Sequence, residues 1–142
     1  MKKIILFIFV IITFCGGCKK EVELENSLFK STWTLFSIQN TVTDSITAFP
    51  DDSERKISIV FTDSLNVLSF KGVCNSGSGT YSLTTIPHEI IISDIITTEI
   101  GCKYGEWESK VTQILNNAFN YSVYGNNLLI VSNDRAMFFT KN

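Results

Sequence analysis

The sequence predicts an α+β domain: a strongly curved antiparallel sheet of about eight short strands, a half-open barrel, with one helix packed near residues 106–119. Three observations lead there. Short alternating runs recur at hairpin spacing from residue 56 to 83 and from 121 to 140, with Gly, Asn, Asp or Ser between them. Residues 107–119 carry a single apolar stripe of helical period. The composition is rich in β-branched and aromatic side chains, 11 of them phenylalanine, which suits sheet better than helix.

Before the domain comes a leader. Met1-Lys2-Lys3, a strongly apolar run from Ile4 to Phe14, and Cys15-Gly16-Gly17-Cys18 read as a lipoprotein signal peptide over residues 1–17, cleaved ahead of a lipid-attachment cysteine, Cys18. The apolar run is too short for a permanent membrane span. Gly17 before Cys18 is the small residue that such cleavage needs, whereas bulky Phe14 precedes Cys15. At about 0.8 kcal/mol per buried CH₂, a diacylglyceryl group with an amide-linked chain anchors firmly. Lys19 to Asn26 holds two lysines and three glutamates and too little apolar content to pack, so residues 18–28 form a lipidated N-terminus and charged tether.

The domain itself is expected over 29–142. Its first strand lies within Phe29–Gln39: Trp33 and Leu35 share one face, Phe36 and Ile38 the other, so the strand is buried on both faces or bulged. Thr41–Arg55, with Pro50 and four acidic residues, reads as a long loop with one short strand near Ile46. Lys56–Thr62 points Ile57, Ile59 and Phe61 to one side; Asp63-Ser64 starts a turn, and Val67–Lys71 returns with Leu68 and Phe70 inward. Gly72, Gly77 and Gly79 mark an irregular crossing, with φ freedom at Gly77 and Gly79, before a strand over Thr80–Leu83. Glu89–Glu99 has isoleucines on both parities, and Asp94 either divides it or bends it. In the helix, Trp107, Val111, Ile114, Leu115, Ala118 and Phe119 form the stripe, and Glu106 and Glu108 lie in the first turn, favourable to the helix dipole. Three strands finish the chain, Tyr121–Tyr124, Leu128–Ser132 and Ala136–Thr140, with turns at Gly125-Asn126 and Asn133-Asp134.

Size and charge narrow the function. Removal of residues 1–17 from 142 leaves 125, one ordinary domain with its own core. Losing Lys2 and Lys3 leaves ten basic against fourteen acidic side chains, a net charge of −4, which argues against nucleic acid as a partner. Cys74 and Cys102 form an even pair bound for an oxidising compartment. A bridge between them would contribute roughly 3–4 kcal/mol in the chain-entropy model. Two free buried thiols, or a metal site with His88 as third ligand, are the alternatives; the second lacks a Cys-x-x-Cys pair, and His88 is the only histidine.

Five pieces in register resemble one family. Cys74-Asn75-Ser76-Gly77-Ser78-Gly79-Thr80-Tyr81 resembles the Cys-Asn-x-x-x-Gly-x-Tyr signature of META domains, the group that includes the heat-inducible HslJ-like lipoproteins. Trp33-Thr34-Leu35 is similar to the family's opening strand, Thr98–Cys102 to its Thr-x-x-x-Cys, and Glu108, Val111 and Leu115 to its Glu-x-x-Phe-x-x-x-Leu helix. Tyr121 with Gly125–Leu128 is similar to the closing hairpin. Ser31, Val73 and Val111 depart from the pattern at packing positions. The resemblance, over residues 30–140, implies a bent antiparallel sheet, Cys74 close to Cys102, no known catalytic activity, and a link with envelope or heat stress.

Two readings of the signature follow. In one it is structural: Asn75 satisfies loop backbone, Tyr81 buries its ring while its hydroxyl finds a partner, Thr98 is a hydrogen-bonding strand residue and Glu108 a helix-start carboxylate. In the other, Asn75, Ser76, Ser78, Thr98 and Glu108 form a polar cluster beside the disulfide that grips a ligand or partner. No catalytic constellation accompanies them. Gly-x-Ser-x-Gly is missing, the dinucleotide fingerprint fails at its third glycine, His88 reads as a solvated turn residue, and Asp51-Asp52 and Glu106/Glu108 read as exposed charges.

The expectation is therefore a non-enzymatic, monomeric envelope lipoprotein without cofactor or metal, held in the outer membrane by its lipid anchor and acting through contact with an envelope protein. The alternative is a lipocalin-like carrier of a small apolar ligand, which needs an internal cavity of several hundred Å³. Lys19-Lys20-Glu21-Val22-Glu23 resembles the surface-export tags of some Bacteroidetes-type lipoproteins, so the domain faces either the periplasm or the cell exterior.

Overall fold

Alternation along the strands sets the inside of the molecule. Ile57, Ile59 and Phe61 are fully buried, as are Trp33 and Leu35 on the neighbouring first strand and Leu68 on the following one, where Phe70 is also buried. A computed structural model describes residues 28, 29, 31–52 and 54–142. It contains β1 (Thr32–Asn40), β2 (Ile46–Ala48), β3 (Ser58–Thr62), β4 (Val67–Lys71), β5 (Ser76–Leu83), β6 (Ile90–Thr97), α1 (Gly105–Asn116), β7 (Asn120–Tyr124), β8 (Asn127–Val131) and β9 (Arg135–Lys141). Eight strands run in the order β6-β5-β4-β3-β1-β9-β8-β7, all antiparallel, and β2 is a short flap on β1. The path curls until its ends meet. Glu89 bridges Asn120, the Ile90 amide donates to Phe119 O (3.2 Å) and the Tyr121 amide to His88 O (2.8 Å). The rest of the β6–β7 gap is open, and α1 packs against β6 and β9, so among the described residues the half-open barrel with a helix packed on it is as expected.

Two bulges explain the strands whose apolar residues occupy both parities. In β1 the register slips between Leu35 and Ser37: Phe36 turns outward, 45% exposed and 5.9 Å from the Phe138 ring, and Ile38 turns in. The alternative of a bulge is the one that holds. In β6, Asp94 adopts φ 54° and the register slips opposite Ser78–Thr80, so Ile90 and Ile92 point inward and, after the bulge, Ile95 does. Thr80, Ser93 and Asp94 bond one another across the bulge at 3.0–3.2 Å. Asp94 bends one strand and does not divide it.

Three expectations need correction. β5 begins at Ser76, so Gly77 and Gly79 lie inside a strand, and neither has positive φ; among the described glycines that belongs to Gly125, at 57°. What these two glycines supply is close approach: a Cβ on Gly77 would collide with Ile96 O, and one on Gly79 would sit 2.8 Å from Ser93 O. The helix ends at Asn116, so Ala118 is buried outside it and Phe119 is 50% exposed. The amides of Asn117 and Ala118 close on Ile114 O and Leu115 O, and the chain passes directly into β7. Glu108 is also not an exposed helix-start charge: it is only 4% exposed.

The core joins both layers. Val111, Ile114 and Leu115 from α1 pack into the same cluster as Trp33, Ile59, Phe61, Ile130 and Phe139 from the sheet. Leu28, fully buried, belongs to it as well, and the Trp33 indole N–H donates to Leu28 O at 3.0 Å. Tyr81 meets Phe61 edge-on at 5.2 Å and donates its hydroxyl to Thr62 O.

Candidate functional site: a carboxylate-centred clasp beside the disulfide

The turn between β4 and β5 wraps a carboxylate. Gly72 N–H donates to Asn75 O at 2.7 Å and closes the turn, which leaves the amides of Cys74 and Asn75 pointing at Glu108. Glu108 Oε1 accepts both, at 2.6 and 3.2 Å, and Oε2 accepts the Asn75 side-chain amide at 2.5 Å. Space for that carboxylate comes from Gly72, where a Cβ would collide with Oε1 and lie 2.6 Å from Cδ. A buried carboxylate is tolerable only when its oxygens are bonded, and here they are. The position in the first turn of α1 adds the favourable helix dipole.

Asn75 is the hub. Its amide nitrogen donates to Glu108 and to Ile100 O (3.0 Å), and its Oδ1 accepts the Thr98 hydroxyl (2.9 Å) and the Ile100 amide (2.6 Å). Thr98 Oγ1 in turn accepts the Ser76 amide at 3.2 Å, and the Thr98 amide donates to Ser76 O at 3.0 Å. One side chain thus ties the β4–β5 turn, the segment after β6 and the start of α1. Cys74 and Cys102 are disulfide-bonded over the same junction, Cα atoms 6.4 Å apart. Of the expected cluster, Asn75, Thr98 and Glu108 converge through side chains. Ser76 joins through its backbone, and Ser78 stands two residues along β5 on an exposed position opposite Ser69 and Ile96.

The group next to the sulfurs is Glu108 and not His88: the ligand-type atoms of Cys74, Cys102 and Glu108 lie within 4.8 Å of one another. His88, at φ 68°, faces Tyr121 with ring centroids 6.2 Å apart. The sequence offered Glu108 as a helix-start charge or as a member of the polar cluster, but not as the buried centre of the turn. The missed signal was Gly72, a glycine placed where a carboxylate must enter. On the sulfur side a cleft of about 570 Å³ opens, floored by Val73, Ile100 and Tyr104 around the disulfide. Asp52 on its rim accepts the Tyr104 hydroxyl (2.7 Å) and the Lys103 ammonium (2.9 Å), and these two hold its carboxyl below the usual carboxylate range. A second cleft of about 200 Å³ opens on the carboxylate side, by Thr98, Ser109 and Thr112. Cys18 and the leader lie outside the described residues. Among the described residues no helix is long and apolar enough to cross a membrane.

Comparisons with known proteins agree with this architecture. A protein of Burkholderia xenovorans solved by NMR superposes with a TM-score of 0.70 at 17% identity, over 82% of this chain and 85% of that one. A DUF4847 family protein of Bacteroides vulgatus superposes with a TM-score of 0.65 at 16% identity, over 83% and 96%. At such identities the likeness is one of fold. No functionally curated protein matches the chain. The family profile described as META domain matches residues 26–142, which takes in every strand, the helix and the clasp; the chain belongs to the META domain family.

Proposed function

We propose that this META domain protein is a non-enzymatic lipoprotein of the bacterial envelope, anchored in the outer membrane through Cys18 and acting by contact with another envelope protein in envelope or stress tolerance. The observation that supports contact over carriage is the occupied interior. Trp33, Ile57, Ile59, Phe61 and Phe139 from the sheet and Val111 and Leu115 from the helix are each at most 1% exposed and belong to one cluster. A carrier keeps that volume for its ligand. A cleft of about 320 Å³ between α1 and the β8–β9 turn lies at the surface, among Lys110, Gln113, Asn117 and Arg135. It offers polar recognition and no apolar vault. The polar groups of the clasp bond one another, which supports a positioning role for them.

Four experiments test the reading. Palmitate labelling of the full chain in a bacterial host is expected to mark wild type and not Cys18→Ala, with the label in the outer-membrane fraction; an unlabelled wild type overturns the anchor. Native mass spectrometry of the mature protein is expected to give the bare polypeptide plus its lipid. A stoichiometric apolar adduct that exchanges with added ligand overturns contact in favour of a lipocalin-like carrier. Crosslinking in intact cells is expected to join the domain to a discrete envelope protein, and protease shaving of those cells distinguishes a periplasmic from a surface-facing domain.

A further inference from the structure

We propose that Cys74 and Cys102, once reduced, form with Glu108 a site for one thiophilic divalent cation of the zinc class, so that the clasp exchanges its sulfur–sulfur bond for a metal bridge. The Glu108 carboxylate lies within 4.8 Å of both sulfurs, and once the sulfur–sulfur bond is broken side-chain rotation moves the sulfurs apart to the spacing that a tetrahedral ion requires. They come from three segments that the Asn75 hydrogen bonds hold together independently of the disulfide: the β4–β5 turn, the segment after β6, and the first turn of α1.

The carboxylate is prepared for the role. Oε1 accepts two amide protons, but Oε2 accepts one, from the Asn75 side chain, and keeps a lone pair. Bonds of that kind behind a ligating carboxylate fix its orientation and tune its affinity. Access exists too. Cys102 is exposed, and both sulfurs border the cleft of about 570 Å³, which admits a reductant and leaves room for water as a fourth ligand. Two thiolates with one carboxylate select zinc-like ions over magnesium or calcium, which prefer all-oxygen shells.

The chemistry balances. A dithiol reductant passes two electrons and two protons to the sulfurs of Cys74 and Cys102 and itself becomes a disulfide. The cation then binds both sulfurs as thiolates, and the two thiol protons leave to solvent. The site holds a net charge of −1, against −3 for the same ligands without metal.

Cobalt titration tests the proposal on the full chain purified in detergent with Cys15→Ser and Cys18→Ser, so that only this pair contributes thiols. The protein is reduced by a phosphine, which becomes the phosphine oxide, and desalted under argon. A sulfur-to-cobalt charge-transfer band is expected to saturate at one equivalent, to be missing from the oxidised protein, and to vanish with Cys102→Ser. Glu108→Gln is expected to weaken binding at least tenfold. No band, or unchanged affinity in a folded Glu108→Gln, overturns the proposal. X-ray absorption on the zinc-loaded protein with Glu108 intact reads the site without that variant. Two sulfurs at about 2.3 Å with oxygen at about 2.0–2.2 Å are expected, and four sulfurs or none overturn it.

Discussion

Glu108 and Asn75 show how much one residue decides in this domain. Each carries bonds that the other segments cannot replace locally: truncating Glu108 leaves the part-buried amides of Cys74 and Asn75 without an acceptor, and truncating Asn75 does the same to the Ile100 amide. Glu108→Ala is expected to cost about 2–4 kcal/mol in urea unfolding, and Asn75→Ala, whose bonds to Thr98 and Ile100 are exposed, about 1–2 kcal/mol. Because both act through the same contacts, the double variant is expected to cost clearly less than the sum of the singles; simple additivity would show that they act separately. Tyr81 gives a test in pH. Burial first, then the charges of Asp63 and Tyr121, pushes its phenol from about 10 up to about 12. The unfolded chain therefore loses this proton first, and stability falls as pH rises from 10 towards 12. Tyr81→Phe, which sacrifices the bond to Thr62 O at about 1 kcal/mol, is expected to be the less stable protein at pH 7 and to lose less between pH 10 and 12. Parallel alkaline limbs for the two proteins would contradict this assignment.

Among the elements, β5 and β6 carry the local irregularity that makes the sheet curl. Gly77 and Gly79 leave the backbone of β6 room to approach, and the Asp94 bulge reverses the facing of every residue after it. Gly77→Ala forces a methyl group against the Ile96 carbonyl, a backbone atom that can move only with its strand. A loss of at least about 1–3 kcal/mol is expected, measured by thermal unfolding. Gly101→Ala, on open surface, is the control expected to stay within about 0.5 kcal/mol. The helix behaves differently: its inward stripe was readable, but its end was not, because the chain leaves the helix at Asn117 to reach β7 while Ala118 still packs inward.

For the molecule as a whole, two closures matter: the disulfide and the seam between β6 and β7. Reduction of Cys74–Cys102 in metal-free buffer is expected to remove about 3–4 kcal/mol, the cost of freeing a loop of 28 residues' separation, and to lower the melting temperature without abolishing folding. An unchanged melting temperature would mean that the Asn75 network alone holds the junction. The seam rests on the Glu89–Asn120 bridge and the flanking bonds of Ile90 and Tyr121. Hydrogen exchange is accordingly expected to protect those two amides well, with β6 beyond Asp94 opening at lower free energy than β3 or β9. Uniform protection along β6 would count against a hinge there.

Residues 56–71 and 121–140 declared their strands because one face is wet and one dry, and alternation of side chains is a local property of the chain. The helix stripe at 107–115 was readable for the same reason, whereas the pairing of the two cysteines rested on their even count and on the family resemblance. The side of each bulge was not: Phe36 and Ile38 are equally apolar, and only the pairing of β1 with β9 decides which one turns out. Nor was the burial of Glu108, whose charge is tolerated only because a turn 33 residues earlier brings Cys74, Asn75 and a bare Gly72 around it. Periodicity and composition determined which segments form strand or helix and which faces meet water; the pairing of β1 with β9 and the meeting of the β4–β5 turn, the Thr98–Cys102 segment and α1 were decided by tertiary contacts, since a hydrogen bond between distant residues leaves no period in the sequence.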